Sequence, residues 1–241
     1  MNILILTGAG ISAESGIATF RGADGLWEGH SITDVATPEG FRRDPELVHR
    51  FYNQRRRQLI APDIQPNAAH KALARWQRWH ADHDGGDFLL VTQNIDDLHV
   101  RGGSQDVLAM HGELLKARDI VDQTLYPWRT DLGTDTPHPD APEDASRRGM
   151  LRPHVVWFGE MPIGLDAIAD AARRADVFVA IGTSGVVYPA AGIVDSTGPH
   201  CRKIELNLEP TPVSDGFDEK MIGPATQTVP ELVTQMCRPA A

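Results

Sequence analysis

The stretch ILILTGAGISAESGIATFR, residues 3–21, joins an apolar run to a glycine-rich turn and then to a segment compatible with a helix. Glycines at such a turn let the backbone approach a diphosphate, and the following helix N-terminus offers unpaired N–H groups to it. The stretch therefore predicts a nucleotide-binding loop. The alternative is a glycine turn that only packs a helix onto a strand.

The dinucleotide pattern of dehydrogenases is only partly present. It reads Gly8-x-Gly10-x-x-Ala13, and it should be followed about 20 residues later by an acidic residue at the end of a second strand. Residues 20–28 are instead rich in glycine and contain no apolar run, and Glu28 does not lie on a plausible strand. This segment argues against a dehydrogenase.

Four apolar runs end in small or polar residues suited to ligand contact. They are residues 3–6, 88–91, 177–181 and 203–206, followed by residues 7–10, 92–96, 182–184 and 207–209. Such runs, separated by helical patterns, are typical of a parallel sheet buried on both faces. Because ligands of these sheets bind beyond the carboxyl ends of the strands, we expect all four polar clusters at one edge.

Helical patterns lie between the predicted strands. Asn67 is placed to cap a helix that carries apolar residues at helical spacing, and residues 164–174 form another candidate. Pro230 is expected to open a short C-terminal helix. These patterns predict an α/β fold with a Rossmann-like parallel sheet and helices on both faces.

Two stretches depart from the alternating pattern. Residues 31–61 are predicted to be a helix-rich insertion with a helix start at Asp44-Pro45, and residues 117–150 are rich in Pro, Asp, Thr and Gly. We predict that these two insertions form a smaller second domain. The larger, nucleotide-binding domain would then comprise residues 1–30, 62–116 and 151–241.

Composition narrows the classes of function. The chain has 241 residues, of which 41% are hydrophobic, and a net charge of −10, which argues against non-specific nucleic-acid binding. No apolar stretch approaches the length of a membrane span, and because a strand is predicted from residue 3, we expect no signal or transit peptide. Two cysteines, Cys201 and Cys237, exclude a disulfide framework. We expect a cytoplasmic protein, with most arginines of residues 41–57 on a solvated helix face.

Five motifs are spread over most of the chain. They are GAGISAESGI (residues 8–17) with Phe20-Arg21, TQNID (residues 92–96) with Leu98-His99, His111-Gly112, Gly182-Thr183-Ser184 and Asn207-Leu208-Glu209. Together they resemble the sirtuin family of NAD-dependent protein-lysine deacylases. Their order and number make a coincidental match untenable.

The resemblance implies that NAD is a reactant that is consumed. In this family the acyl-lysine oxygen attacks a ribose carbon and displaces nicotinamide, with release of O-acyl-ADP-ribose. The implied cofactor-binding residues are Gly8, Ala9, Gly10, Ser12, Phe20, Arg21, Trp27, Gln93, Asn94, Ile95, Asp96, Gly182, Thr183, Ser184, Asn207, Leu208, Glu209 and Ala225. Phe20 would keep water from the reactive carbon, and Arg21 would add a charged contact to the pyrophosphate.

The implied catalytic residues are His111, Asn94 and Asp96. His111 would act as the base that deprotonates a ribose hydroxyl, a step suited to an imidazole with a pKa near working pH. Asn94 and Asp96 would contact the nicotinamide and its ribose. A histidine before a glycine is otherwise most often a packing or surface residue.

The segment at residues 155–160 resembles the part of the family that pairs backbone-to-backbone with the substrate peptide, as does the stretch after Ser184. The implied contacts are Val156, Trp157, Phe158, Gly159, Glu160 and Val187. For Val155 and Val156 an ordinary core strand is the alternative.

A Tyr-x-x-Arg pair indicates the acyl preference. Tyr52 and Arg55 share one face of a predicted helix and follow Ala36 by the spacing found in sirtuins that remove succinyl, malonyl and glutaryl groups. The guanidinium would bind a terminal carboxylate through two hydrogen bonds, the phenol would supply a third, and alanine would leave room for the longer chain. We predict desuccinylase, demalonylase and deacetylase activity. Alternatively, Arg55 is one more surface arginine.

The chain departs from the family where most sirtuins bind a structural zinc with four cysteines. Residues 117–150 contain no cysteine and offer only His138 with scattered aspartates, which make a poor zinc site. We predict that no zinc is bound and that apolar packing holds this module, or alternatively that the segment is partly disordered. The apolar residues proposed for that packing are Ile120, Val121, Leu125, Tyr126, Trp128 and Leu132.

Other activities share parts of this chemistry. Mono-ADP-ribosyl transfer and NAD hydrolysis begin with the same bond cleavage, and a sensor would bind NAD without turnover. The expected partners are acyl-lysine-bearing proteins, with no nucleic acid and no membrane, and the expected state is a monomer.

Overall fold

The computed structural model describes residues 1–18, 26–27, 29–83 and 85–237, and its largest feature is a six-stranded parallel sheet. The strands of the molecule are β1 (Ile3–Thr7), β2 (Leu26–Trp27), β3 (His30–Ser31), β4 (Phe88–Thr92), β5 (Leu108–Ala109), β6 (Gly112–Asp119), β7 (Leu125–Pro127), β8 (Leu151–Val155), β9 (Val177–Ile181), β10 (Arg202–Asn207) and β11 (Glu219–Ile222). The large sheet has the order β11-β10-β9-β1-β4-β5, and all its neighbouring strands are parallel. The predicted α/β fold is therefore confirmed.

Helices connect these strands and cover both faces of the large sheet. They are α1 (Gly10–Ala13), α2 (Ile32–Val35), α3 (Pro38–Arg43), α4 (Pro45–Leu59), α5 (Ala68–His83), α6 (Leu98–Arg101), α7 (Leu165–Arg174) and α8 (Ala225–Met236). In the described part of the chain, no helix combines the length and the apolar composition needed to cross a bilayer.

The two faces of the sheet bury separate apolar clusters because side chains alternate along each strand. In β1, Ile3 and Ile5 face a cluster with α5 and α8, whereas Leu4 and Leu6 face a cluster with α7 and the 3₁₀ helix Ala190–Ser196. The four predicted strands are present as β1, β4, β9 and β10. The sequence did not indicate β5, which has two residues, or β11, an edge strand half made of charged residues.

Capping residues confirm two predicted helix starts, and one prediction is wrong. Asn67 Oδ1 accepts a hydrogen bond from the Ala69 N–H at 2.9 Å, and the Asp44 side chain accepts one from the Leu47 N–H at 2.9 Å. Pro230 does not open the last helix but lies inside α8, which begins at Ala225. The lost hydrogen bond is offset because the apolar face of α8 packs against α5 in the core.

The second sheet is antiparallel, with the order β7-β6-β8. Its buried core consists of Ala117, Leu132 and Leu151, with Tyr126 and Trp128 packed at the margin. Three residues predicted to join this packing are exposed instead, namely Ile120, Val121 and Leu125. They lie in or next to the turn between β6 and β7, where a three-stranded sheet has no further layer to cover them.

Helix α4 links this small sheet to the rest of the molecule through a buried arginine. Arg56 was expected on a solvated face, but it has no exposed surface. Its Nε donates to the Leu114 carbonyl at 3.2 Å and its Nη1 donates to Asn53 Oδ1 at 2.7 Å. Asn53 in turn donates to the carbonyl and accepts from the N–H of Leu132. These polar partners make burial of the guanidinium tolerable. The division of the chain into two domains stays a prediction.

Candidate active site

A cleft of about 550 Å³ lies at the carboxyl edge of the large sheet. The residues that follow β1, β4, β9 and β10 line it together, as expected for a ligand site in an open parallel sheet. On the other side it is bordered by α4 and by the segment after β8.

Most of the predicted site residues border this cleft. They are Gly8, Ala9, Gly10, Ser12, Trp27, Ala36, Tyr52, Arg55, Gln93, Asn94, Ile95, Asp96, His111, Val156, Trp157, Phe158, Gly159, Glu160, Gly182, Thr183, Ser184, Val187, Asn207, Leu208 and Glu209. Ala225 does not line the cleft, because it packs into the core as the first residue of α8. Phe20 and Arg21 lie outside the described residues.

Three glycines form the floor of the cleft, where the loops after β1 and β9 pack against each other. The Gly8 N–H donates to the Ile181 carbonyl at 2.9 Å, and the Gly10 N–H donates to the Gly182 carbonyl at 2.8 Å. A Cβ on Gly8 would lie 2.7 Å from the Gly182 oxygen, and one on Gly10 would lie 2.7 Å from the Gly182 Cα. Gly182 itself has a φ of +59°. Glycine is therefore required here by the contact between the two loops.

A polar network occupies the wall beside this floor. Asn94 Nδ2 donates to the Gly8 carbonyl and to Ser12 Oγ, both at 3.1 Å. Ser12 Oγ in turn donates to Asp96 Oδ2 at 2.9 Å, and the Leu98 N–H donates to Asp96 Oδ1 at 3.0 Å. Burial raises the pKa of Asp96 to about 6, although the hydrogen bonds from Leu98 and Ser12 oppose it. Hydrogen bonds within the protein thus fix the Asn94 amide and the Asp96 carboxylate in place.

One hydrogen bond to the backbone orients the imidazole ring of His111. Its Nδ1 lies 2.9 Å from the Gln93 carbonyl, and because a carbonyl can only accept, Nδ1 carries the hydrogen. Nε2 of the neutral ring is therefore the atom that can take up a proton. Burial lowers the pKa of His111, with the Gln93 carbonyl opposing it, so the ring is neutral near pH 7.

Hydrogen bonds to Thr183 join the loop after β9 to the residues that follow β4 and end β10. Gln93 Nε2 donates to Thr183 Oγ1 at 2.9 Å, and Asn207 Nδ2 donates to the Thr183 carbonyl at 2.7 Å. The ends of β4, β9 and β10 are thereby held in fixed register. This arrangement suits the binding of an extended ligand along the sheet edge.

The other end of the cleft is aromatic and contains the predicted Tyr-x-x-Arg pair. Ala36 and Tyr52 are buried, and Arg55 is only 7% exposed, so Arg55 is not a surface arginine. The Arg55 guanidinium lies 3.3 Å from the centroid of the Phe51 ring and 5.2 Å from that of Trp27. These contacts hold the positive charge of Arg55 in the cleft wall, which the buried phenol of Tyr52 also lines.

The segment predicted to pair with a peptide uses many of its own N–H groups internally. Val156 donates to the His111 carbonyl, Phe158 to the Ala36 carbonyl and Glu160 to the Trp157 carbonyl. The Trp157 N–H donates to Glu160 Oε2 at 2.8 Å. Backbone pairing here would rely mainly on carbonyl oxygens and on the Gly159 N–H, and it stays a prediction.

Sequence reasoning missed further residues that line the cleft. They are Ala18, Gln58, Leu59, Leu114, Pro162, Pro189, Pro210, Thr211 and Pro212. Gln58 and Leu59 lie one turn after Arg55 on α4, so helical spacing from the predicted pair would have indicated them. The others carry no chemical signal of their own.

The small sheet contains a polar cluster that does not fit zinc. Asp119 and His138 have no exposed surface, and His138 Nε2 lies 2.8 Å from Asp119 Oδ2. Arg147 Nη2 donates to the same oxygen at 2.7 Å. A guanidinium already neutralises this carboxylate, and the residues that the structure describes include no group of three histidine, cysteine or acidic side chains able to hold a metal ion.

The fold and the cleft define a class: a Rossmann-like protein with a glycine-floored cleft at the carboxyl edge of its sheet and a buried histidine on the wall of that cleft. A model of the Sir2 family matches residues 8–189. The chain belongs to the Sir2 (sirtuin) family.

Relatives and solved structures agree with this assignment. A protein of Rhodopirellula baltica named NAD-dependent protein deacylase is 65% identical over 97% of this chain and 98% of its own length. A protein of Shigella flexneri with the same name is 58% identical over 97% of this chain and 83% of its own. The crystal structure of a Sir2 homologue in complex with NAD superposes with a TM-score of 0.83, at 38% identity over 97% of this chain and 88% of that one.

Proposed function

We propose that this protein is an NAD-dependent protein-lysine deacylase that removes succinyl and malonyl groups as well as acetyl groups. One observation carries the proposal: a single cleft has a glycine floor and the base His111 at one end, and Tyr52 with Arg55 at the other. A nucleotide and an acyl-lysine can therefore meet in one space. The names of the relatives support NAD-dependent deacylation.

The described residues fit NAD. The close approach of Gly8 and Gly10 to Gly182 leaves backbone without side chains where a pyrophosphate would lie. Asn94 and Asp96 are preorganised to meet the nicotinamide and its ribose. NAD, as a co-substrate, supplies the ribose carbon that receives the acyl oxygen.

His111 removes a proton from a ribose hydroxyl so that the acyl group can migrate to the sugar. The hydrogen bond from Nδ1 to the Gln93 carbonyl directs the Nε2 lone pair away from that carbonyl and stabilises the imidazolium that forms. Because burial lowers its pKa, the ring is ready to accept a proton at neutral pH.

Tyr52 and Arg55 select the acyl group. A carboxylate on the end of a succinyl or malonyl chain would receive hydrogen bonds from the guanidinium and the phenol, whereas an acetyl group has no atom that reaches them. The aromatic walls exclude water and strengthen this charge pairing. Ala36 keeps the passage open for the longer chain.

The remaining expectations complete the proposal. The small sheet does without zinc, because Asp119, His138 and Arg147 satisfy one another there. The enzyme works as a cytoplasmic monomer on acyl-lysine-bearing proteins and on neither nucleic acid nor membranes.

Mass spectrometry of products tests the function. Purified protein is incubated with NAD and matched peptides that carry succinyl-lysine or acetyl-lysine. O-succinyl-ADP-ribose and O-acetyl-ADP-ribose are the expected products. Modified protein would indicate ADP-ribosyl transfer, free ADP-ribose alone would indicate NAD hydrolysis, and unchanged NAD would indicate a sensor; each would overturn the proposal.

The acyl assignment has its own variant. Arg55→Met should lower desuccinylation at least tenfold while deacetylation changes less than about threefold. Arg57→Met, a change to an exposed arginine of the same helix, is the matched control. Equal losses on both peptides would contradict the pocket assignment.

A further inference from the structure

We propose that Trp157 is a positioning residue for acyl selectivity: its indole N–H holds the Tyr52 hydroxyl so that the phenolic hydrogen points to the acyl carboxylate. The inference rests on the proposed function and extends it to a residue outside the Tyr-x-x-Arg pair. It starts from one contact, in which Trp157 Nε1 donates to Tyr52 Oη at 3.0 Å.

The direction of this hydrogen bond is fixed by chemistry. An indole N–H can only donate, so the Tyr52 oxygen must accept. A phenolic hydrogen lies close to the ring plane and has two positions there, and the position nearer the indole is blocked by the incoming donor. Among the residues that the structure describes, no acceptor receives a hydrogen bond from Tyr52 Oη. The hydrogen is therefore left for a ligand in the cleft.

Trp157 is itself held from several sides. The Arg152 guanidinium lies 3.3 Å from the centroid of its ring, and its backbone N–H donates to Glu160. Arg152 donates to both carboxylate oxygens of Glu160, at 2.6 and 2.8 Å. Trp157 is 2% exposed, and Phe41 packs on it with a centroid distance of 5.2 Å. A tryptophan held this firmly can fix the orientation of its partner.

The state of Tyr52 agrees with a donor role. Burial raises the pKa of its phenol, so the hydroxyl keeps its hydrogen throughout the neutral range. Acetyl groups bring no acceptor to this point. The indole–phenol contact should therefore matter for succinyl and malonyl substrates and leave acetyl substrates largely unaffected.

A double-mutant cycle tests the inference. Trp157→Phe, Tyr52→Phe and the double variant are compared with the parent enzyme, with KM and kcat measured on matched succinyl-lysine and acetyl-lysine peptides. Since the carboxylate contact exists before and during the reaction, its loss should raise KM and leave kcat nearly unchanged. We expect succinyl KM to rise about fivefold in Trp157→Phe and about tenfold in Tyr52→Phe. The double variant should be no worse than Tyr52→Phe alone.

Trp128→Phe is the matched control. It removes the indole N–H that donates to the Asp131 carbonyl, away from the cleft, and both activities should stay within twofold of the parent. Thermal denaturation and far-UV circular dichroism that match the parent show that Trp157→Phe folds, and the inference is judged by how much more its succinyl KM rises than its acetyl KM. Equal losses on both peptides, or multiplicative losses in the double variant, would overturn the inference. A parent enzyme without desuccinylase activity would instead refute the proposed acyl preference.

Discussion

The carboxyl edge of the large sheet and the three-stranded sheet beside it are stabilised in opposite ways. At the large sheet, glycines of two loops are in direct backbone contact, and the same loops accept hydrogen bonds from polar side chains of the cleft: Asn94 donates to the Gly8 carbonyl, and Gln93 donates to the Thr183 hydroxyl. At the small sheet, three apolar residues form the core, and one buried carboxylate receives hydrogen bonds from His138, Arg147 and the N–H groups of Val121 and Asp122.

This difference predicts that substitutions in the cleft mainly affect activity, whereas substitutions in the small sheet mainly affect the stability of the fold. The cleft depends on the exact placement of many atoms, so small changes there should remove activity before they unfold the chain. The small sheet depends on a few polar contacts, so single changes there should cost stability and spare the chemistry. Each of the following predictions tests one side of this contrast.

The largest effect is expected at the base. His111→Ala should lower deacylation of both peptides roughly 100-fold or more, because the described residues place no second histidine beside the Gln93 carbonyl to take the proton. Steady-state kinetics and calorimetric titration with NAD check the prediction, with NAD affinity expected to stay within about threefold. Near-normal turnover would remove His111 from the mechanism.

The next effect concerns the glycine floor. In Gly10→Ala the new Cβ would lie 2.7 Å from the Gly182 Cα, so one loop must shift. We expect the free energy of unfolding to fall by about 1–3 kcal/mol. We expect the free energy of NAD binding to weaken by more than that amount. Gly198→Ala is the control, since its Cβ would lie at an ordinary 3.6 Å from the Arg173 carbonyl. Urea denaturation measures the free energy of unfolding of both variants, and titration with NAD measures their affinity. Equal values for Gly10→Ala and Gly198→Ala would contradict the prediction.

A smaller effect is expected at the small sheet. Asp119→Asn should lower the free energy of unfolding by about 1–2 kcal/mol, because the amide cannot replace the charged acceptor. Hydrogen exchange should speed up in β6 and β7 but not in β1 and β9, and deacylation should fall less than threefold. Asp122→Asn, a half-exposed carboxylate 3.7 Å from the same Arg147, serves as the control.

The same carboxylate gives a pH dependence with a definite sign. Burial alone would raise the pKa of Asp119, but hydrogen bonds from the Val121 N–H and Arg147 outweigh it and lower the pKa to about 2. The stabilisation is therefore complete above about pH 4 and is lost as the pH falls toward 2. Asp119→Asn should flatten this acid limb in thermal denaturation. An unchanged limb would mean that another group produces it.

The smallest effect on stability is expected at Asp96 in the cleft, where ionisation of the carboxyl group lowers the free energy of unfolding instead of raising it. The folded-state pKa of Asp96, about 6, exceeds its unfolded value, so the ionised carboxylate opposes folding once the pH passes from about 4 to above 6. Asp96→Asn should raise the free energy of unfolding by about 1 kcal/mol at pH 7.5 and leave it unchanged at pH 4, while activity is lost. If Asp96→Asn were less stable than the parent at pH 7.5, the ionised Asp96 carboxylate could not be the group that opposes folding.

The sequence predicted the parts of this molecule that depend on short patterns. The apolar runs, the capping residues Asn67 and Asp44, and the convergence of four polar clusters all follow from local spacing. The environment of Arg56 could not be predicted in this way, because nothing distinguishes it from Arg57 until the folded chain places Leu114 and Asn53 beside it.

Exposure in the small sheet was equally hidden from the sequence. Val121 is an apolar residue by type, but it is 74% exposed because no element of the described chain packs over its turn. Pro230 shows a third limit, since burial of one face of α8 outweighs the local preference of proline for a helix start. The contact between Trp157 and Tyr52 joins residues 105 positions apart and has no local signature.

Helix α4 turns one side to the cleft with Tyr52 and Arg55 and another to the small sheet with Asn53 and Arg56. Exchanging residues 117–150 between family members should therefore change the position of α4. A donor segment without a main-chain partner for Asn53 at position 132 would let the helix rotate or slide, and the proposed acyl pocket of Tyr52 and Arg55 would move with it. A chimeric enzyme should acquire the acyl preference of the donor protein only when α4 and residues 117–150 are transferred together.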